Sequence, residues 1–175
     1  MTLRNIIIIC GPTASGKTDF AYNIAQRIGG VIINADSMQI YEDAPIITAS
    51  PDLEQYEAAP HFLYNYLSAR YKFTVVNYIK DVQLTIDNLA STPIIVGGTG
   101  LYINALINGF SAIPDISESE QYKIRHYCND QGVEEIYQQL QSHGCAMAER
   151  LRPNDRQRVF RAYEVMTLTG KSMAY

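Results

Sequence analysis

The 175-residue chain has little of what builds disulfide frames, metal centres or basic nucleic-acid faces. Its three cysteines, Cys10, Cys128 and Cys145, are odd in number, widely spaced and free of any C-x-x-C pair. That pattern argues against a disulfide scaffold and a structural zinc site, and reduced thiols are expected. The three histidines, His61, His126 and His143, lack helical metal spacing and read as packed or surface imidazoles. No hydrophobic run spans a bilayer: Ile6–Cys10 is far too short, and no signal peptide precedes it. A soluble, cytoplasmic protein without a membrane partner is expected. With 14 Lys and Arg against 18 Asp and Glu, the net charge of −4 gives no overall basic footprint. Internal repeats and low-complexity tracts are absent as well. What the chain does have is apolar content: 47% hydrophobic against 18% charged residues, enough for one globular core with a small appendage.

The most informative segment is Gly11–Thr18, GPTASGKT, which follows the apolar run Ile6–Cys10 and precedes a helix-patterned segment, Asp19–Ile28. This is the setting of a phosphate-binding P-loop. Gly11 and Gly16 let successive N–H groups turn inward toward an anion, with Pro12, Thr13, Ala14 and Ser15 forming the loop between them. Lys17 supplies a mobile cation near the helix start, and the Thr18 hydroxyl suits magnesium (Mg2+). A diphosphate or triphosphate ligand is expected; the loop alone leaves open which.

Alternation of strand and helix continues along the chain. Phe20, Ala21, Ile24, Ala25 and Ile28 recur at helical spacing until Gly29-Gly30, and Val31–Asn34 reads as a second strand running into Asp36-Ser37. Residues 42–60 carry prolines without periodicity and read as a surface loop, with a short strand in His61–Tyr66. A helix over Val75–Leu89, a buried strand at Ile94–Val96 and a Gly97-Gly98-Thr99-Gly100 turn into another helix follow. The expected fold is α/β, an open parallel sheet of the P-loop NTPase kind with helices on both faces and its ligand at the strands' carboxyl edge. Ser111–Ser119 reads as a linker, and Gln121–Cys128 and Val133–His143 as two helices with no strand between them. Pro153-Asn154-Asp155 starts a last helix with a buried stripe of Val159, Ala162, Tyr163 and Met166, ending at Thr169-Gly170-Lys171. The segments expected are thus a core over 1–110, a helical insertion over 111–153, and a returning core helix over 154–175. Between Glu149 and Lys171 six basic residues face three acidic ones, a local excess against the acidic whole.

Asp36 lies directly after the second strand, where a carboxylate beside a phosphate site either holds magnesium or acts as a general base. Asp36-Ser37-Met38-Gln39-Ile40-Tyr41, together with GPTASGKT and Gly97-Gly98-Thr99-Gly100-Leu101-Tyr102-Ile103, resembles the tRNA dimethylallyltransferase family. The resemblance runs on through Pro60-His61, Asn154-Asp155, Gln157-Arg158 and Arg161-Ala162 to Thr169-Gly170-Lys171. It implies that the Gly11–Thr18 loop cradles dimethylallyl diphosphate. It also implies that Asp36 is the base for the exocyclic amine of the adenosine 3′ of the tRNA anticodon, with Lys17 and a Thr18-bound magnesium stabilising the leaving group. Thr13 and Thr99 would then position the diphosphate and the tRNA side of the channel, Ser37, Met38 and Gln39 would line the path of the base, and the Gln157-Arg158-Val159-Phe160-Arg161 segment would contact tRNA in the anticodon loop.

Two departures from the family pattern stand out. Glu42 follows Tyr41 where the family carries a basic residue, and Ile46-Ile47-Thr48-Ala49-Ser50-Pro51 replaces a stretch like I-G-T-A-K-P, so a glycine and two positive charges are gone. Family members also run on beyond the equivalent of Tyr175, so an unpaired sheet edge beside the first strand and a reduced or lost transferase activity are expected. The alternatives are a small-molecule or nucleoside kinase using ATP, a tRNA-binding remnant without activity, and a transferase using free adenylate.

Overall fold

A computed structural model describes residues 5–109, 116–170 and 172. The chain divides into two compact units, residues 1–109 and 110–175. In the first, a four-stranded parallel sheet is built from β1 (Ile7–Cys10), β2 (Val31–Asn34), β3 (His61–Phe62) and β4 (Pro93–Gly97) in the order β1-β4-β2-β3. Helices α1 (Lys17–Ile28), α2 (Leu53–Ala58), α3 (Val75–Asp87) and α4 (Gly100–Asn108) connect or follow the strands. The expected α/β class and parallel sheet are those observed.

The two central strands explain why the sheet carries helices on both faces. Successive strand residues point to opposite sides. Ile32 and Ile94 pack with Ala21 and Ala25 of α1, while Ile33 and Ile95 pack with Tyr78, Val82 and Ile86 of α3 and Tyr102 and Ile103 of α4. Both β2 and β4 are buried along their whole length, as unbroken apolar strands between two helical layers must be. A continuous apolar, β-branched run such as Ile6–Cys10 is expected of a parallel strand buried on both faces, but in β1 Ile7, Ile8 and Ile9 are half-buried and Cys10 is exposed. β1 stands at one end of the strand order, in keeping with the sheet edge expected beside the first strand.

The stretch read as loop over residues 42–60 contains the short helix α2, entered through a capping box in which Asp52 accepts from the Gln55 N–H and Gln55 returns the bond. The expected strand at His61–Tyr66 is only two residues long. His61 sits between Tyr56 and Tyr64, with ring centroids 5.1 and 5.6 Å away, and its Nδ1 lies 2.7 Å from the Ala59 carbonyl. Burial, the larger influence, lowers its pKa from the ordinary value, and the backbone hydrogen bond partly opposes this. The unfolded chain therefore binds a proton at His61 before the folded chain does, and stability falls as pH drops below about 6.5. In melting curves recorded from pH 7.5 to 5, His61→Gln is expected to show a shallower loss of Tm on acidification than the parent; parallel curves would contradict this.

The second unit is helical: α5 (Glu118–Gln131), α6 (Val133–Ser142), a short turn at Ala148–Arg150, and α7 (Arg156–Thr169). Its core gathers Cys128, Ile136, Leu140, Met147, Leu151, Val159 and Ala162. Because α7 contributes to this core together with α5 and α6, the division expected at residue 153 is not one the packing makes. α5 begins at a Ser117–Glu120 capping box, inside the expected linker, whose residues 111–115 lie outside those described. α7 starts at Asp155, whose side chain accepts from the Arg158 N–H, and ends at Gly170 in the left-handed conformation, φ 65°; Lys171 lies outside the described residues.

Candidate active site

Three strand ends meet at one edge of the sheet. The register pairs Cys10 with Gly97 and Asn34 with Val96, so the segments following β1, β2 and β4 leave the sheet side by side. From β1 comes the Gly11–Thr18 loop, in which Ala14 and Gly16 adopt positive φ of 62° and 76°. Gly16 is the N-cap of α1 and no side chain caps it, so the first N–H groups of α1 are left to a ligand. Lys17 folds its ammonium back onto the Pro12 carbonyl and lies 3.5 Å from the Ser15 hydroxyl.

From β2 comes Asp36, held by its neighbours on every side. The buried Asn34 side chain accepts from the Asp36 N–H at 2.8 Å and donates to the carbonyls of Asp36 and Leu63, both at 2.9 Å. Beneath it, the Tyr78 hydroxyl donates to the Asn34 carbonyl at 2.9 Å. Asp36 Oδ1 accepts from the Met38 N–H at 2.9 Å, while among the described residues no hydrogen bond takes up Oδ2. The carboxylate is thus fixed through one oxygen and available through the other. Sequence reasoning missed Asn34; its one signal is that a polar residue closes the apolar run Val31–Ile33.

From β4 come Gly97, Gly98 and Thr99. A Cβ on Gly98 would lie 3.3 Å from the Gly11 carbonyl oxygen and 3.7 Å from Asp36 Oδ2, which puts this turn against both the loop and the carboxylate. Thr99 is engaged within the protein. Its hydroxyl accepts from the Ser37 N–H at 2.8 Å and donates to the Ser37 hydroxyl at 3.2 Å. Ser37 and Thr99 therefore fasten the Asp36 turn to β4, and neither is among the residues that line the cleft.

That cleft, of about 410 Å³, is lined by Thr13, Ala14, Ser15, Gly16, Lys17 and Thr18 on one side, and by Asp36, Met38 and Gln39 on the other. Asp19, Ile47–Ala49, Tyr64, Val96 and Gly97 complete it. Gln39 is committed to the protein: its amide donates to the Thr48 and Ala49 carbonyls, both at 2.9 Å, and holds the 44–50 turn at the rim. Tyr64 is 8% exposed, and burial raises its pKa well above the ordinary range, so it stays a neutral hydroxyl. Tyr102, stacked on Tyr78 at 3.9 Å, is pushed up to about 12, chiefly by burial.

The helical unit carries a second cleft, of about 470 Å³, where Arg156, Gln157, Phe160 and Arg161 of α7 face Arg125 and Asn129 of α5. Its centre is Glu164, a carboxylate only 1% exposed, bonded by Arg161 Nη1 at 2.8 Å and approached by Arg125 Nε at 3.7 Å. Arg156 donates to Asn129 Oδ1 at 2.6 Å and lies over the Phe160 ring, while Arg158 pairs with Asp155 of its own helix. Val159 is corrected: its side chain is fully buried in the helical core and offers no surface to a nucleic acid. Arg125 and Asn129 were not legible as members of the basic cluster, because only the packing of α5 on α7 brings them to it. Burial, with the Glu164 charge adding, pushes the Cys128 thiol up to about 11, which keeps it protonated. Arg161→Met leaves the Glu164 carboxylate with the looser Arg125 contact alone. Because Arg161 is partly exposed, the expected loss is about 2 kcal/mol, below that of a fully buried pair. Chemical denaturation reads it, and Arg161→Met/Glu164→Leu should recover most of the loss; an unchanged midpoint in the single variant would show the pair is not stabilising.

The family described as IPP transferase matches residues 39–175, and that described as isopentenyl transferase matches residues 4–62. The chain belongs to the IPP transferase family. It is 43% identical over 176 residues to a tRNA dimethylallyltransferase of Rickettsia bellii, covering 99% of this chain and 56% of that protein. A tRNA dimethylallyltransferase of Bradyrhizobium is 39% identical over 180 residues, with 59% of its length covered. Among solved structures, a eukaryotic dimethylallyltransferase acting on tRNA superposes with a TM-score of 0.79 at 30% identity, over 97% of this chain and 43% of that one. The tRNA isopentenylpyrophosphate transferase of Bacillus halodurans gives 0.61 at 33% identity, over 96% and 57%. The chain of this IPP transferase family member thus spans about half the length of the relatives it matches. No helix among the described residues is long and apolar enough to cross a membrane.

Proposed function

We propose that this protein transfers a dimethylallyl group from dimethylallyl diphosphate to the exocyclic amine of the adenosine 3′ of the tRNA anticodon. The observation that carries this reading is the meeting, in one cleft, of the Gly11–Thr18 loop and a carboxylate, Asp36, with one oxygen unengaged among the described residues. The uncapped first turn of α1 and Lys17 suit a diphosphate leaving group, whose negative charge grows as its bond to the allylic carbon breaks. The adenosine nitrogen forms the new bond to that carbon, the diphosphate departs with the electron pair, and Asp36 Oδ2 takes the nitrogen's proton. An exocyclic aryl amine is a weak nucleophile, which is why a positioned base matters.

Magnesium fits the donors present. Thr18 and Asp36 line the same cleft, while no cluster of three or more His, Cys, Asp or Glu exists among the described residues. That donor set suits an ion held mainly by water and phosphate oxygens. When bound, magnesium supplies charge neutralisation to the leaving diphosphate.

The cleft of the helical unit supports tRNA as the acceptor, with three arginines, Arg125, Arg156 and Arg161, against the single carboxylate of Glu164 despite the net charge of −4. The test is incubation with unmodified tRNA and dimethylallyl diphosphate, followed by mass analysis of the digested nucleosides. A prenylated adenosine, and no phosphoryl transfer from ATP to nucleosides, is the expected outcome. ATP turnover without prenylation would replace this reading with a kinase.

A further inference from the structure

The cleft beside the Gly11–Thr18 loop is polar on the phosphate side, yet a large aliphatic side chain stands open at its rim. Ile47 lines the cleft and is 90% exposed. Its exposure is not that of a loose tip. The 44–50 turn is closed by bonds from the Thr48 N–H to the Ala44 carbonyl and from the Ser50 N–H to the Pro45 carbonyl. Gln39 pins the turn from below, and the Ser50 hydroxyl donates to Asn65 Oδ1 at 2.9 Å. The fold therefore holds an isoleucine out to solvent, facing the place where a ligand anchored on the loop would extend. Ile46 beside it is 93% exposed but is not among the residues lining the cleft.

We infer that Ile47 is a specificity-determining residue that covers the branched five-carbon chain of the allylic diphosphate, resting on the cradle reading above. A diphosphate seated on the first turn of α1 leaves its hydrocarbon tail in the cleft. That tail is stabilised only where apolar surface meets it. Met38, 59% exposed on the same cleft, is the other large apolar side chain exposed there. Ile47 carries no polar group to pair, so it distinguishes the allylic ester from bare diphosphate, not one phosphate pattern from another.

The test is calorimetric titration of the parent chain, Ile47→Ala and Ile46→Ala with inorganic diphosphate and with dimethylallyl diphosphate, each with magnesium. All three proteins should bind inorganic diphosphate equally. Ile47→Ala should lose about tenfold in affinity for dimethylallyl diphosphate, the size of effect a lost aliphatic contact gives, while Ile46→Ala matches the parent. Equal affinities of Ile47→Ala and parent for the allylic ester, or the same loss in Ile46→Ala, would overturn the assignment while leaving the cradle intact. Failure of the parent to bind inorganic diphosphate at all would remove the cradle reading, and this inference with it.

Discussion

Asp36→Asn is expected to slow prenyl transfer by about 10²- to 10⁴-fold, the usual contribution of a positioned general base. The substitution is chosen for what it keeps. An asparagine oxygen still accepts from the Met38 N–H, the bond that Asp36 Oδ1 makes at 2.9 Å, and the backbone remains clamped by Asn34 on both sides. The turn should survive, and only the proton acceptor at Oδ2 is removed. Single-turnover transfer to unmodified tRNA measures the rate, and titration with dimethylallyl diphosphate should show no loss of affinity, because the cradle is built from the Gly11–Thr18 loop. A rate loss below about tenfold would show that the carboxylate is not the base and that solvent takes the proton. Asn34→Ser separates positioning from folding: with the clamp shortened, the rate should fall while the affinity for the allylic ester holds.

The largest expected effect on stability is that of Gly97→Ala, a loss of about 3 kcal/mol, at the upper end of overpacking costs. An ideal Cβ at Gly97 would lie 2.1 Å from both the carbonyl carbon and the oxygen of Ala35. Neither is the flexible end of a side chain. To make room, β2 and β4 must separate where the Ala35 N–H bonds the Val96 carbonyl at 2.7 Å and the Thr99 N–H bonds the Ala35 carbonyl at 3.2 Å. Ala35 immediately precedes Asp36, so the same movement displaces the base, and transfer should fall with stability. Gly100→Ala is the matched control, since a Cβ there meets nothing within 4 Å and the residue opens α4, where alanine favours helix. Urea denaturation of the pair decides the point, and equal midpoints would mean that the close approach at Gly97 carries no energy.

Much of this protein was readable before any coordinate. Gly11–Thr18 after an apolar strand, Asp36 after a second and Gly97–Gly100 after a third placed three motifs at the carboxyl ends of adjacent strands, as the register shows, because polar and glycine residues at strand ends are local signals. The boundaries of β2 and the caps at Gly29 and Gly170 were legible for the same reason. Other features were not. Whether Ile7–Cys10 lies inside or at the edge of the sheet depends on strand order, which apolar content cannot report. Val159 stands in a segment of basic residues, but its side chain belongs to the core, since a helix turns neighbouring residues to different faces.

The sequence by itself determined the α/β class, the Gly11–Thr18 loop between β1 and α1, the candidate base and the family, all of which depend on short contiguous motifs. The tertiary structure alone decided which groups are engaged and which are available. It closed the Thr99 and Ser37 hydroxyls on one another, committed Gln39 to the rim turn, set Asn34 as the clamp on Asp36, and gathered Arg125 and Arg161 around Glu164. The Ser37–Thr99, Asn34–Leu63 and Arg125–Glu164 contacts join residues distant in the chain. They follow from the packing of whole elements, which local periodicity does not encode.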